Sequence, residues 1–265
     1  MHLQVPLLYD AARFLVLTAF RIPLALACVL ATASAASAQE GSLDSLLRTL
    51  AAAAERLQSD LPAFACHETF TSQQLQRGKV KRQVTGAGEL RVQPGDDGKL
   101  DENLQLSELN GRPAQGFPRA PIFVEGGFQN ALQLFSPSDQ RCFSFHLAGN
   151  RLDFASRDDG PAEPCLRRTG VNGFALFDAS GVLTHIENHV TGESAARRSI
   201  VPYAALDISP VKLGGTTYLL STHVIAEKAL EKATLRWEAT YSGCRLYQVT
   251  VKIGPASPAP EDSAK

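Results

Sequence analysis

The sequence has little charge imbalance, few aromatic side chains and none of the common catalytic motifs. Its 26 basic and 27 acidic residues leave a formal net charge of −1, and no basic stripe indicates nucleic-acid binding. The chain lacks a Gly-x-Ser-x-Gly elbow, a His-Glu-x-x-His helix and a Gly-x-x-x-x-Gly-Lys loop. These absences favour a non-catalytic protein without a cofactor, and no residue is assigned as catalytic, cofactor-binding or metal-ligating.

The first 38 residues have the pattern of a secretory signal. Arg13 and Arg21 precede an apolar run over residues 22–33, and Ala36-Ser37-Ala38 is a signal-peptidase site. Two alternatives stay open: a retained anchor, which the charge of Arg21 disfavours, and lipidation of Cys28, which follows Leu-Ala-Leu-Ala. No later run approaches bilayer length, so we expect membrane contact to be peripheral at most.

Four cysteines remain after the signal: Cys66, Cys142, Cys165 and Cys244. An even count in an exported chain predicts two disulfides, and four cysteines allow three pairings. Cys142 with Cys165 closes the shortest loop across a turn-rich segment, which leaves Cys66 with Cys244 to join the first strand to the last. A zinc site with four cysteine ligands is the alternative, but the chain has no Cys-x-x-Cys pair.

The pattern of apolar residues predicts one helix followed by a long series of strands. Ser42–Leu57 carries leucines at steps of three and four, which is typical of an amphipathic helix. Phe128, Ala131, Leu132 and Phe135 predict a second, short helix that Pro137 closes. Alternating segments predict strands at Cys66–Leu75, Val80–Val92, Leu100–Leu109, Cys142–Ala148, Arg151–Ser156, Gly173–Asp178, Val182–Val190, Tyr203–Ile208, Thr216–Glu227, Thr234–Tyr241 and Cys244–Ile253.

The last two of these strands are expected to form a hairpin around a tight Ser242-Gly243 turn. The whole pattern predicts an α+β fold, with a strongly curved antiparallel sheet (an open half-barrel) wrapped over the N-terminal helix and the short helix. We expect a signal peptide over residues 1–38, a single domain over 39–253 and a disordered tail over 254–265.

The most prominent polar cluster is His185, Glu187 and His189, which share one face of a strand. One hypothesis is a metal site or an acid–base pair of a hydrolase; the other is the solvated face of a half-buried strand. A spacing of roughly 13 Å between the two histidines along a strand favours the solvated face.

Other candidates have simpler structural explanations. Asp178 lies in a predicted turn, and Gly126-Gly127 precedes the short helix, where an anion could bind. His67 and His146 lie within predicted strands, and Trp237 is expected to fill the core.

The order of segments resembles a known superfamily. The segments LPAFACHETF, GGFQNALQLFSP, GFALFDASGVLTHIENHV and LGGTTYLLSTHV resemble those of uncharacterised exported envelope proteins of soil bacteria. Those proteins are in turn similar to the periplasmic lipoprotein-carrier (outer-membrane lipoprotein-sorting) superfamily. The resemblance implies an open half-barrel whose concave apolar face holds acyl chains, in the periplasm or envelope of a Gram-negative bacterium, and it assigns no site residue.

Three functions therefore remain open. The first is a non-catalytic envelope protein that binds a lipid or an acylated protein in an apolar cavity between sheet and helices. The second is a secreted metal-binding protein or hydrolase that uses His185, Glu187 and His189. The third is a protein-interaction module.

The signal predicts the first residue of the exported protein. Amino-terminal sequencing of protein recovered from the envelope should begin at Gln39, because Ala36 and Ala38 fit the small pockets of the peptidase. A mature chain that begins at a lipid-modified Cys28 would contradict cleavage after Ala38.

Overall fold

The computed structural model describes residues 42–95, 100–117, 128, 131–157, 165, 170–191 and 203–247. The expected signal peptide, Gly126-Gly127 and the expected tail lie outside these residues. The chain separates into two compact units, Met1–Thr49 and Leu50–Lys265. In the first unit the described residues, 42–49, are helical. The single domain expected over residues 39–253 stays a prediction.

Helix α1 covers residues 42–59, close to the predicted bounds Ser42–Leu57. Within the larger unit its apolar stripe is buried, since Leu50, Ala54 and Leu57 are each less than 5% exposed. The Tyr218 hydroxyl donates to the backbone oxygen of Asp60 at 2.8 Å, directly after the helix. None of the helices in the described residues is long and apolar enough to cross a membrane.

The described residues form eleven β-strands, which all belong to one antiparallel sheet. The strands are β1 (Phe64–Gln76), β2 (Lys79–Pro94), β3 (Leu100–Leu109), β4 (Arg112–Pro113), β5 (Phe143–Ala148), β6 (Arg151–Ser156), β7 (Val171–Phe177), β8 (Leu183–Val190), β9 (Tyr203–Leu213), β10 (Thr216–Ala229) and β11 (Thr234–Leu246).

Two meanders meet in the middle of the sheet. The strand order is β4-β3-β2-β1-β11-β10-β9-β8-β7-β6-β5, so the first strand pairs with the last and the edges are β4 and β5. The sheet is open because these two edges are not joined to each other. The predicted class, α+β with an open antiparallel half-barrel, is confirmed.

One face of the sheet carries a continuous line of apolar residues, which we call the central row. Backbone register connects its ten members directly across ten strands. From β3 to β5 they are Leu109, Gly86, Phe70, Ala239, Val224, Leu206, Ile186, Ala175, Leu152 and Leu147. The seven members from Phe70 to Leu152 are less than 9% exposed, so this inner face is the core side of the sheet.

Both predicted disulfides are confirmed. Cys66 is bonded to Cys244 and Cys142 to Cys165, with sequence separations of 178 and 23. The first bridge joins β1 to β11 beside a register shift between Ala65 and His67. Structural disulfides of this kind form in an oxidising compartment, which agrees with export.

The predicted hairpin around Ser242-Gly243 is wrong. Strand β11 runs without a turn through both residues and pairs with β1 along its whole length. Gly243 has a φ of 59° and forms a bulge in β11. This bulge lies at the register shift between Ala65 and His67 of β1. A full-length partner strand thus overrides a local turn signal.

The predicted short helix over Phe128–Phe135 is also corrected. A 3₁₀ turn covers Gln133–Phe135, and a separate four-residue helix α2 covers Pro137–Gln140. Pro137 begins α2 instead of closing a helix, because its missing N–H costs nothing at the first helical position and Ser136 caps the Asp139 amide. The four apolar residues of the predicted stripe are nevertheless buried.

The two disulfides should contribute unequally to stability. Replacing Cys66 and Cys244 by Ser should lower the free energy of unfolding by about 5 kcal/mol, and replacing Cys142 and Cys165 by about 3 kcal/mol, because the longer loop loses more entropy when closed. Urea unfolding of both double variants measures the difference. A larger loss from the Cys142–Cys165 pair would contradict this order.

Candidate functional site

Aromatic side chains cluster on the inner face where the two meanders meet. The Phe128 ring lies 5.3 Å from that of Phe64 on β1 and 4.8 Å from that of Tyr241 on β11. On the same strands, Phe70 stacks on Trp237 at 4.3 Å. Trp237 is fully buried, which confirms its predicted place in the core.

Two acidic side chains lie on this apolar face. Glu68 is only 2% exposed and pairs in register with Gly88 on one side and with Tyr241 on the other. Glu102 lies on β3, and its Oε1 accepts the backbone N–H of Phe128 at 3.2 Å. Phe128 thus contacts the sheet through its backbone N–H as well as through its ring.

Burial changes the protonation of this cluster. Desolvation, with a smaller contribution from the negative charge of Glu102, raises the pKa of Glu68 to about 8. Burial also raises the pKa of the Tyr241 phenol, and both carboxylates add to that shift. Glu68 is therefore a neutral carboxylic acid at neutral pH, and it can donate a hydrogen bond that a carboxylate cannot.

The buried cluster also contains an indole donor. Within the described residues, the buried Trp237 Nε1 atom has no acceptor in full hydrogen-bond geometry. Its nearest polar neighbour is the Tyr241 phenol, whose pKa it lowers slightly against the larger effect of burial.

The opposite, outer face carries a network of histidines and carboxylates. Register aligns His185, Asp207 and His223 across β8, β9 and β10. His185 Nδ1 lies 2.7 Å from Asp207 Oδ1, and His223 Nδ1 lies 3.1 Å from Asp207 Oδ2. The network extends to β11, where Glu238 Oε1 lies 3.3 Å from His223 Nε2.

The three residues singled out in the sequence belong to this network. His189 Nε2 lies 2.9 Å from Glu187 Oε1, and His185 Nε2 lies 3.8 Å from Glu187 Oε2. Glu187 thus pairs with both histidines, which are partly exposed. Within the described residues, no group of three or more His, Cys, Asp or Glu side chains is arranged to hold a metal ion.

The remaining candidates lie apart from the buried cluster. Asp178 Oδ1 accepts the backbone amides of Ser180 and Val182 at 2.8 and 2.9 Å, which is the predicted turn role. The Ser180 hydroxyl and these amides lower the pKa of Asp178. His67 and His146 are exposed strand residues.

Three of the interacting residues, Glu68, Asp207 and His223, were missed by sequence reasoning. Glu68 could have been found, because it occupies an inward position of an alternating strand between Cys66 and Phe70. Asp207 and His223 meet His185 only through the pairing of three strands, and no local pattern shows that register.

A scan of protein-family models finds no match, and a search of curated proteins also finds none. A search of solved structures finds a LolA superfamily protein from Nitrosomonas europaea, at 9% identity and a TM-score of 0.32, covering 77% of this chain and 94% of that one. An outer membrane lipoprotein-sorting protein domain from Vibrio parahaemolyticus matches at 11% identity and a TM-score of 0.37, covering 77% and 93%.

A third match is a DUF1329 family protein from Desulfovibrio piger, at 14% identity and a TM-score of 0.33, covering 78% of this chain and 95% of that one. The first two of these proteins carry the name of the lipoprotein-carrier superfamily that the sequence resembles.

The raised pKa of Glu68 makes stability depend on pH. Between the ordinary value of 4.5 and about 8, the folded protein keeps a proton that the unfolded chain releases, so stability falls as pH rises through this range. Glu68→Gln removes this proton linkage and should stabilise the protein by about 3 kcal/mol near pH 7, with little gain near pH 5. Urea unfolding at several pH values measures the effect.

Glu89→Gln is the matched control on the outer face of the neighbouring strand. A hydrogen bond from Arg91 lowers the pKa of Glu89, so its contribution is present above the ordinary pKa and is lost as pH falls. The two variants should therefore change the pH profile in opposite directions. A pH-independent effect of Glu68→Gln would contradict the neutral-acid assignment.

Proposed function

We propose that the protein is a non-catalytic, exported binding protein of the bacterial envelope. On the concave inner face of its sheet it holds the acyl chain of a lipid or of an acylated protein. The observation that carries this proposal is the central row, which places apolar residues side by side across ten strands. At a strand spacing of about 4.8 Å, the row is about 43 Å wide.

Contacts between the inner face and the elements beside it support this proposal. Phe128 contacts β1 and β11, Phe135 stacks near Phe145 on β5, and Tyr218 on β10 bonds to the end of α1. The row between these points consists of Leu206, Ile186 and Ala175 and their neighbours. These three residues are less than 9% exposed, so an acyl chain would take the place of the groups that cover them, and each methylene that it buries contributes about 0.8 kcal/mol.

Glu68 and Tyr241 support a ligand that carries a carbonyl group. A protonated carboxyl and a phenol can each donate a hydrogen bond to the ester or amide oxygen of an acyl group. The cavity expected between the sheet and the helices stays a prediction.

The other functions have weaker support. His185, Glu187 and His189 of the metal or hydrolase hypothesis pair with one another and with Asp207 on the partly exposed outer face. The interaction-module hypothesis becomes the better one if the inner face binds no acyl chain.

A fluorescent fatty-acyl probe tests the proposal on the purified exported protein. The protein should bind the probe, and affinity should rise about fourfold for each added methylene until the face is filled. Ala175→Leu, which adds bulk in the middle of the central row, should weaken binding about tenfold or more.

Ala155→Leu is the control, because Ala155 is an exposed alanine on the adjacent strand. It should bind the probe as the unchanged protein does. Circular dichroism and non-reducing peptide maps confirm that both variants fold. Absence of binding to the unchanged protein, or equal loss in both variants, would contradict an acyl site on the inner face.

A further inference from the structure

Two hairpins lie side by side at one end of the sheet. The turn between β1 and β2 contains Arg77 and Gly78, and the turn between β10 and β11 covers residues 230–233. Because Leu75 pairs with Val80 on one side and with Thr234 on the other, the two turns are neighbours. We call residues 74–83 and 227–236 the hairpin tip.

The hairpin tip is strongly basic although the chain is nearly neutral. It carries seven basic and two acidic residues, a net charge of +5, in a chain whose net charge is −1. The basic residues are Arg77, Lys79, Lys81, Arg82, Lys228, Lys232 and Arg236. One acidic residue, Glu227, is already paired with Arg236 at 3.3 Å.

The tip also exposes apolar side chains. Val80 is 49% exposed and Leu230 is 43% exposed, and they are two of the four large apolar residues that the described part of the chain exposes in this way. A cleft of about 470 Å³ separates the two turns, with Leu75 and Leu230 on its wall beside Arg77 and Lys232. Exposed apolar side chains surrounded by basic ones at one end of a sheet are suited to the interfacial region of a membrane, which contains both apolar and charged groups.

We propose that the hairpin tip docks the protein on a membrane surface that contains anionic phospholipid. Val80 and Leu230 enter the headgroup region while the basic side chains remain beside the phosphates. A single-stranded nucleic acid fits less well, because the tip has no aromatic side chain on which a base could stack. This surface is separate from the central row, so the proposal does not depend on the acyl-binding function.

Co-sedimentation with vesicles tests the proposal on the purified exported protein. It should bind vesicles of phosphatidylcholine mixed with phosphatidylglycerol, bind phosphatidylcholine alone far more weakly, and be released by salt. Each basic residue near the surface contributes about fivefold in affinity, so Lys79→Gln/Lys81→Gln/Arg82→Gln should bind on the order of 100-fold more weakly. Val80→Ser/Leu230→Ser should also bind more weakly, while its salt dependence is unchanged.

Matched controls exist away from the tip. Arg141→Gln/Lys212→Gln/Arg245→Gln changes the net charge by the same amount, and Leu246→Ser replaces a leucine that is also 43% exposed, at the far end of β11. Both controls should bind like the unchanged protein. The proposal is overturned if the controls lose as much affinity as the tip variants. It is also overturned if soluble glycerol phosphate competes as well as the vesicles, which would indicate a site for a free anion.

Discussion

The pairing of β1 with β11 joins the two meanders into one sheet. Each meander alone would end in a strand with one unpaired edge. The two form one sheet only because the first strand lies beside the last. The Cys66–Cys244 bridge holds this pair across a separation of 178 residues. The central row is continuous for the same reason, since Phe70 on β1 faces Ala239 on β11.

The pairing of β1 with β11 also buries the carboxyl group of Glu68, which is costly to place on the inner face. Glu68 lies on β1, between its neighbours on β2 and β11, at a place where an apolar residue would cost less, and the protein retains it as a neutral acid. Proteins often sacrifice stability at functional positions. A neutral acid beside Tyr241 on a largely apolar face is suited to recognition of a polar group at one end of an apolar ligand.

Much of the fold could be predicted from local patterns, but the parts that depend on distant partners could not. The leucines of α1 and the alternation along the strands report burial directly, and the cysteine spacing favours the correct bridges. The Ser242-Gly243 signal failed because β1 offers a partner along the whole of β11. The meeting of His185 with Asp207 depends on register between strands, which the sequence does not display.

Native mass spectrometry of protein purified from its own envelope measures whether the inner face carries an acyl chain. We expect a population of the chain that carries one acyl-containing molecule and loses it when Ala175 is replaced by a larger residue. A protein that leaves the envelope with only its own mass, and takes up no lipid when lipid is added, would contradict binding on the inner face.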